Sequence, residues 1–295
     1  MTEAGVASRT DARVVRDDPE AASGSATALL RTVVGSVLRP IGGWMSAAGA
    51  VRLMDALGVP AATARSSLAR LCARGVLRRG PRDGVAGYAL DPAAVPMLER
   101  GDARIFGERV EASRWLLLSL SFPEHARGSR DRLRRRLAAL GCGTVADGLW
   151  IAPSALEAEL AAAVTESASD DHRAGRPVVA MFADASPRGD LSAGLARWYD
   201  LAVIRTAHES FLSRFGELPH PLDDARAFAT WIRALDEWRV IPYRDPGLPA
   251  AALPADWPGT ASARLFQQLR AQLEERAISH AAAVAAPDRI PAPAR

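Results

Sequence analysis

Residues 60–90 read PAATARSSLARLCARGVLRRGPRDGVAGYAL, and the periodicity of this stretch decides what kind of module begins the chain. Pro60 suits the first turn of a helix, and Gly75 suits the position just past its end. Between them Ala64, Leu68, Leu71 and Cys72 fall within an arc of about 100° on a helical wheel and form a single apolar stripe. Ala62, Thr63, Arg65, Ser66, Ala69 and Arg70 take the opposite arc, a face of small residues bearing two guanidinium groups and two hydroxyls. The helix is followed by VLRRG and VAGYAL, two short strand-like runs joined by Pro81, Arg82, Asp83 and Gly84, a tetrapeptide suited to a hairpin turn.

Toward the N-terminus, Leu29, Leu30, Val33, Val34, Val37 and Leu38 recur at three- and four-residue spacing until Pro40, which predicts a first amphipathic helix. Ser46 suits the N-cap of a second helix that carries Val51, Leu53, Met54 and Leu57 and ends at Gly58. Three short helices and a hairpin are the layout of a winged helix-turn-helix. A helix enters the major groove, roughly 12 Å wide, only if its outward side chains are small near the axis and long where they reach base edges. Thr63, Arg65, Ser66 and Arg70 meet that requirement. Arg78, Arg79 and Arg82 on the hairpin are expected to lie against the phosphate backbone or in the minor groove. The alternative is a small-molecule-binding or protein-interaction protein whose winged helix docks a partner rather than DNA; retention on heparin separates the two readings.

Charge agrees with the first. Residues 24–100 hold 10 Arg against 4 acids, residues 1–23 hold 3 against 5, and residues 101–295 hold 24 against 25. A basic segment of domain size beside a neutral remainder is the electrostatic footprint of a nucleic-acid-binding module attached to something else. All 37 basic residues are Arg, so chemistries that need an essential Lys, such as the Walker A loop or a pyridoxal-phosphate Schiff base, are excluded. Two cysteines, Cys72 and Cys142, exclude a disulfide scaffold and a four-cysteine zinc site. The longest apolar runs fall far short of the ~20 residues of a membrane span, so a cytoplasmic protein without a membrane partner is expected.

Beyond Pro92–Gly107, which reads as a linking helix or arm, RWLLLSLSF (Arg114–Phe122) reads as a buried strand. RDRLRRRLAAL follows as a helix with Leu133, Leu137 and Leu140 inward and its Arg132, Arg134, Arg135 and Arg136 on solvated faces. A strand or hairpin around Gly148, a helix from Ser154 to Val164 and a strand at Pro177–Phe182 complete a small ferredoxin-like α/β domain. Helical runs are expected at Leu195–Phe215, Leu222–Trp238 and Thr260–His280, with Ile241–Gly259, which holds five prolines, as either an extended, ordered loop or a flexible one. The aromatic residues Trp198, Tyr199, Phe211, Phe215, Trp231, Trp238 and Tyr243 are expected to form the C-terminal core.

No catalytic constellation assembles. His125, His172, His208, His220 and His280 lack metal-ligand spacing and are expected on surfaces or loops. GCGTVADG has its third glycine misplaced for a dinucleotide loop, and Asp170–Asp171–His172 sits in a polar, loop-like stretch. A metal-dependent nuclease would need carboxylates where the first strand of the central domain exits, and Ser121, Phe122 and Pro123 stand there. An enzyme, a cofactor and a resident metal are therefore not expected.

LRPIGGWMSAAGAVRLMDALGV (38–59), TARSSLARLCARGVLRR (63–79), LGCGTVADGLWIAP (140–153) and DEWRVIPYRDPGLPAAALPADWPG (236–259) resemble the PaaX family of transcriptional regulators, the last most specifically. The resemblance runs from about Leu29 to His280; the long N-terminal arm departs from it. It implies an α+β multidomain protein with an N-terminal winged helix-turn-helix, a middle ferredoxin-like (Cas2-like) domain and a helical C-terminal domain. The expected boundaries are a disordered arm at 1–23, the winged helix at 24–100, a linker at 101–113, the ferredoxin-like and dimerising domain at 114–190, the helical domain at 191–282 and a disordered tail at 283–295. The resemblance further implies a homodimeric repressor of aromatic (phenylacetate-type) catabolism genes. Such a repressor binds a palindromic operator in double-stranded DNA and is released by an acyl-CoA effector, phenylacetyl-CoA or a related thioester.

Overall fold

The computed structural model describes residues 23–108, 111–169, 178–218 and 221–286. The arm before residue 23, the Asp170–Asp171–His172 cluster, His220 and the tail from 287 lie outside the described residues. In chain order the elements begin with α1 (Ala26–Val33), β1 (Trp44–Ser46), α2 (Ala47–Ala56), α3 (Ala61–Ala73), β2 (Leu77–Arg79), β3 (Gly87–Leu90) and α4 (Val95–Phe106). Next come β4 (Trp115–Ser121), α5 (Arg127–Ala139), β5 (Gly143–Ala146), β6 (Leu149–Pro153), α6 (Glu157–Ser169) and β7 (Val178–Ala185). The chain continues with α7 (Leu191–Trp198), α8 (Leu201–Phe215), α9 (Asp224–Trp238), α10 (Ile241–Arg244) and α11 (Gly259–Ala285).

The described residues form two compact units, the first within Met1–Ala103, Pro221–Asp236 and Ala271–Arg295, the second within Arg104–His220 and Glu237–Arg270. In the first unit, Ser25 caps α1, its side chain accepting the Ala28 N–H. The periodic run from Leu29 to Leu38 is not one regular helix: after Val33 it widens into a π-turn over Val34–Leu38, still burying Val34, Val37 and Leu38. Ser46 caps α2 by accepting the Gly49 N–H at 2.9 Å, and Gly58 ends it with φ of +72°. Asp236 of α9, buried, accepts from the Thr32 hydroxyl at 2.8 Å and the Gly24 N–H at 2.7 Å, tying both ends of α1 to α9. At α2, a Cβ on Gly49 would lie 2.6 Å from the Val284 carbonyl oxygen, so the end of α11 rests directly on backbone there. Arg52 donates to that same carbonyl at 3.0 Å.

In the second unit β4, β5, β6 and β7 form one antiparallel sheet in the order β5-β6-β4-β7. With α5 and α6 as the two crossovers this is the ferredoxin-like topology. Strand alternation sends Leu116, Leu118 and Leu120 to one face, where Leu133 and Leu137 of α5 and Leu156 and Leu160 beside and on α6 cover them. Trp115 and Ile151 go to the other face and are covered by Leu195 of α7, Tyr199 just past its end, Ile204 of α8, and Leu248 and Leu253 of the proline-rich connector. That connector is therefore ordered. The long helical run expected at 195–215 is two helices, broken at Tyr199–Asp200, where Asp200 caps α8 by accepting the Val203 N–H. The last helix continues past His280 to Ala285. Trp198 and Tyr243 are half-buried; Phe211, Phe215, Trp231 and Trp238 are buried as expected, whereas Tyr199 is buried against the central sheet instead.

His208 corrects the sequence reading. It lies mid-helix in α8, fully buried, with Nδ1 2.6 Å from Ser262 Oγ and Nε2 3.0 Å from Asp245 Oδ2. Asp245 also accepts the Gly247 and Leu248 N–H groups at 3.3 and 3.1 Å, so the buried carboxylate is satisfied from the connector's own backbone. His280, also expected on the surface, is half-buried in α11 and packs on the Phe228 ring at 5.5 Å.

Candidate nucleic-acid interface

In the first unit α3 follows α2 after a short turn and precedes the β2–β3 hairpin, and β1 joins that hairpin to make an antiparallel sheet in the order β1-β3-β2. The α3 wheel is realised almost as written. Ala64, Leu68 and Leu71 are buried, and Ala62, Thr63, Arg65, Ser66, Ala69 and Arg70 are all exposed. The one shift is at the edge of the stripe: Cys72 is only half-buried, and Ser67 takes the fully buried place, its hydroxyl 3.2 Å from Thr27 Oγ1. Burial raises the Cys72 thiol pKa, and the Arg79 charge works against that rise.

The structure gives the exposed arc an internal order. Arg70 donates to Thr27 Oγ1 at 3.3 Å, which ties its guanidinium to the first turn of α1. Ser66 donates back to the Ala62 carbonyl at 3.1 Å. Arg65 and Thr63 stand in solvent.

The hairpin turn is closed by reciprocal backbone bonds between Arg82 and Val85, with φ of +51° at Asp83 and +79° at Gly84. Both central residues in the left-handed region make the two-residue turn whose twist matches that of the flanking strands. Arg78, Arg79 and Arg82 are all exposed, but not on one face. Arg78 stands in a row with Ala89 and Trp44, and Arg79 in a row with Tyr88 and Met45.

Sequence reasoning missed β1 and, with it, Trp44. The Trp44 indole is buried, donates from Nε1 to the Gly80 carbonyl at 2.9 Å, and lies beneath the Arg82 guanidinium at 5.1 Å from ring centre to Cζ. A Cβ on Gly87 would stand 2.4 Å from the indole Cζ2, so glycine is required there. The signal was present as Trp44 after Gly42–Gly43 and Gly87 before Tyr88, but only strand pairing shows that they meet.

Among the described residues no group of three or more His, Cys, Asp or Glu is placed to hold a metal ion, and no helix is long and apolar enough to cross a membrane.

Three protein-family models match successive parts of the chain: PaaX-like protein over residues 25–93, PaaX protein central Cas2-like domain over 109–174, and PaaX-like protein C-terminal domain over 199–283. The chain is similar to the transcriptional repressor PaaX of Escherichia coli (strain K12), 25% identical over 256 residues that cover 82% of this chain and 78% of that protein. Among solved structures it is similar to the uncharacterized protein Rv0674 from Mycobacterium tuberculosis, with a TM-score of 0.53 and 21% identity. That likeness spans 86% of this chain and 98% of the other and bears on fold alone. A mixed α+β chain with a Cas2-like centre and a helical C-terminal part, matched over three successive stretches by models of one regulator family, belongs to a class of transcriptional regulators and not of enzymes. Within that class the chain belongs to the PaaX family.

Proposed function

We propose that the chain is a cytoplasmic, ligand-responsive repressor that binds a palindromic operator as a homodimer, with residues 24–100 as its winged helix and α3 as the recognition helix. The observation that carries this reading is the division of α3: the apolar stripe is buried, and Thr63, Arg65, Ser66 and Arg70 are left outward. Arg65 is suited to guanine O6 and N7, and Arg70, tethered to Thr27, to a phosphate. Arg78, Arg79 and Arg82 supply sequence-independent contacts. The ferredoxin-like domain, 114–190, is the proposed dimerisation element, and two α3 helices would then enter successive major grooves about 10 base pairs apart.

The effector in this reading is an aryl-acyl-CoA, phenylacetyl-CoA or a related thioester, and the genes controlled are those of aromatic catabolism. Support comes from membership of the family and from the name of the Escherichia coli relative. A coupling of ~1–3 kcal/mol between effector and operator is enough to release DNA held near its dissociation constant. The test is a titration of the protein–operator complex with phenylacetyl-CoA, with free CoA as control. Release by the thioester alone supports the reading, and equal behaviour of the two ligands removes this effector.

A further inference from the structure

We propose that Trp44 is the positioning residue of a preformed phosphate-binding wing, its indole being the platform that holds the Arg82 guanidinium in place before DNA arrives. The proposal rests on the DNA-binding reading of this unit and names the device that orders its wing.

Four observations converge. Trp44 stands on β1, at the opposite edge of the sheet from β2, and shares its row with Ala89 and Arg78. Ala89 is small and Gly87 has no side chain, so the middle strand offers a shallow trough, and the indole lies in it against the Gly87 backbone. The Nε1–H reaches the Gly80 carbonyl at the far end of β2, so one side chain spans the sheet and fixes the base of the turn. The turn itself is locked by the Arg82–Val85 backbone pair.

Above this base sits Arg82, its Cζ 5.1 Å from the indole centre. The negative face of the ring attracts the exposed guanidinium, whose N–H groups a phosphate oxygen can accept. A solvated arginine loses rotamer freedom when it is captured by a phosphate; one already stacked has less to lose. Trp44 thus acts through Arg82 and need not touch DNA.

The test is a double-mutant cycle on the full chain, read as binding of a fluorescein-labelled random-sequence duplex at low salt, with circular dichroism melts on each variant. Trp44→Leu should weaken binding about two- to fivefold, the worth of an exposed cation–π contact. In the Arg82→Ala background the same substitution should change nothing, and Trp44→Phe, which keeps a ring, should fall between wild type and Leu. Should the Leu variant fail to fold, the Phe variant carries the cycle alone, with a smaller but still non-additive effect. An equal loss in both backgrounds, or no loss in either, overturns the positioning role while leaving the DNA-binding reading intact. A wild-type chain that does not bind the duplex at all removes both.

Discussion

Arg78 and Arg79 are neighbours in the chain and face opposite sides of one sheet: Arg78 shares a row with Ala89 and Trp44, Arg79 with Tyr88 and the fully buried Met45. Arg79 is therefore turned to the helical side, near Cys72, and Arg78 to the outer side, where the Trp44 indole carries Arg82. Each phosphate contact contributes about 0.9 to the slope of log affinity against log salt. Arg78→Ala and Arg82→Ala together should reduce that slope by about 2 in a fluorescence-anisotropy series. A slope equal to wild type would mean that the outer face of the hairpin points away from the duplex.

The buried His208–Asp245 pair makes a stability prediction. Leucine at position 208 would leave the Asp245 carboxylate, at 0% side-chain exposure, without its imidazole partner. Breaking such a pair costs roughly 3–5 kcal/mol when both groups are charged and roughly 1–3 when they are not. Ser262→Ala, which removes a hydrogen bond of 2.6 Å, should cost about 1 kcal/mol. Urea denaturation measures both; a His208→Leu variant as stable as wild type would contradict the network.

Burial pushes the Cys142 thiol up to about 12, and burial likewise raises the Tyr199 phenol. Each group is kept neutral in the folded chain beyond the pH at which it ionises in the unfolded one. The stabilisation is complete below the unfolded thiol value near 8.5 and is lost as pH rises toward the folded values. Thermal midpoints should be level below about pH 8.5 and fall above it, with Cys142→Ala falling less steeply. Midpoints that rise through this window would reverse the sign and refute the assignment.

At Gly49, a methyl group would meet the Val284 carbonyl at 2.6 Å and the Ala285 Cα at 2.8 Å, both backbone atoms with little room to yield. Gly49→Ala should destabilise the protein by about 1–3 kcal/mol through this overpacking. Truncation after Ala283 should remove most of the difference between Gly and Ala in a denaturant titration. An unchanged difference in the truncated chain would place the strain elsewhere.

The legible parts of the chain share a physical property: their signals are local. The α3 stripe could be read because Ala64, Leu68 and Leu71 repeat at the helical period and the arginines fall between them. The Ser46 cap and Gly58 stop were equally local, as were the β2–β3 turn and the order of strands and helices around the central sheet. What escaped is long-range or short-element. β1 is three residues long and ends on the residue that caps α2, so no alternation could develop. The partners of His208 lie 37 and 54 residues away, and no spacing rule links them. Trp44 and Gly87 meet only through the register of β1 on β3.

If the outward face of α3 reads DNA, removing its two guanidinium groups in an Arg65→Ala, Arg70→Ala double variant must weaken operator binding in a gel-shift titration against wild type. Each substitution should cost roughly 1–3 kcal/mol where the side chain reads a base or grips a phosphate. The expected result is salt-sensitive binding by wild type and a loss of at least about tenfold in the double variant, with unchanged circular dichroism. Wild-type affinity in the double variant would mean that this face of α3 does not meet the duplex.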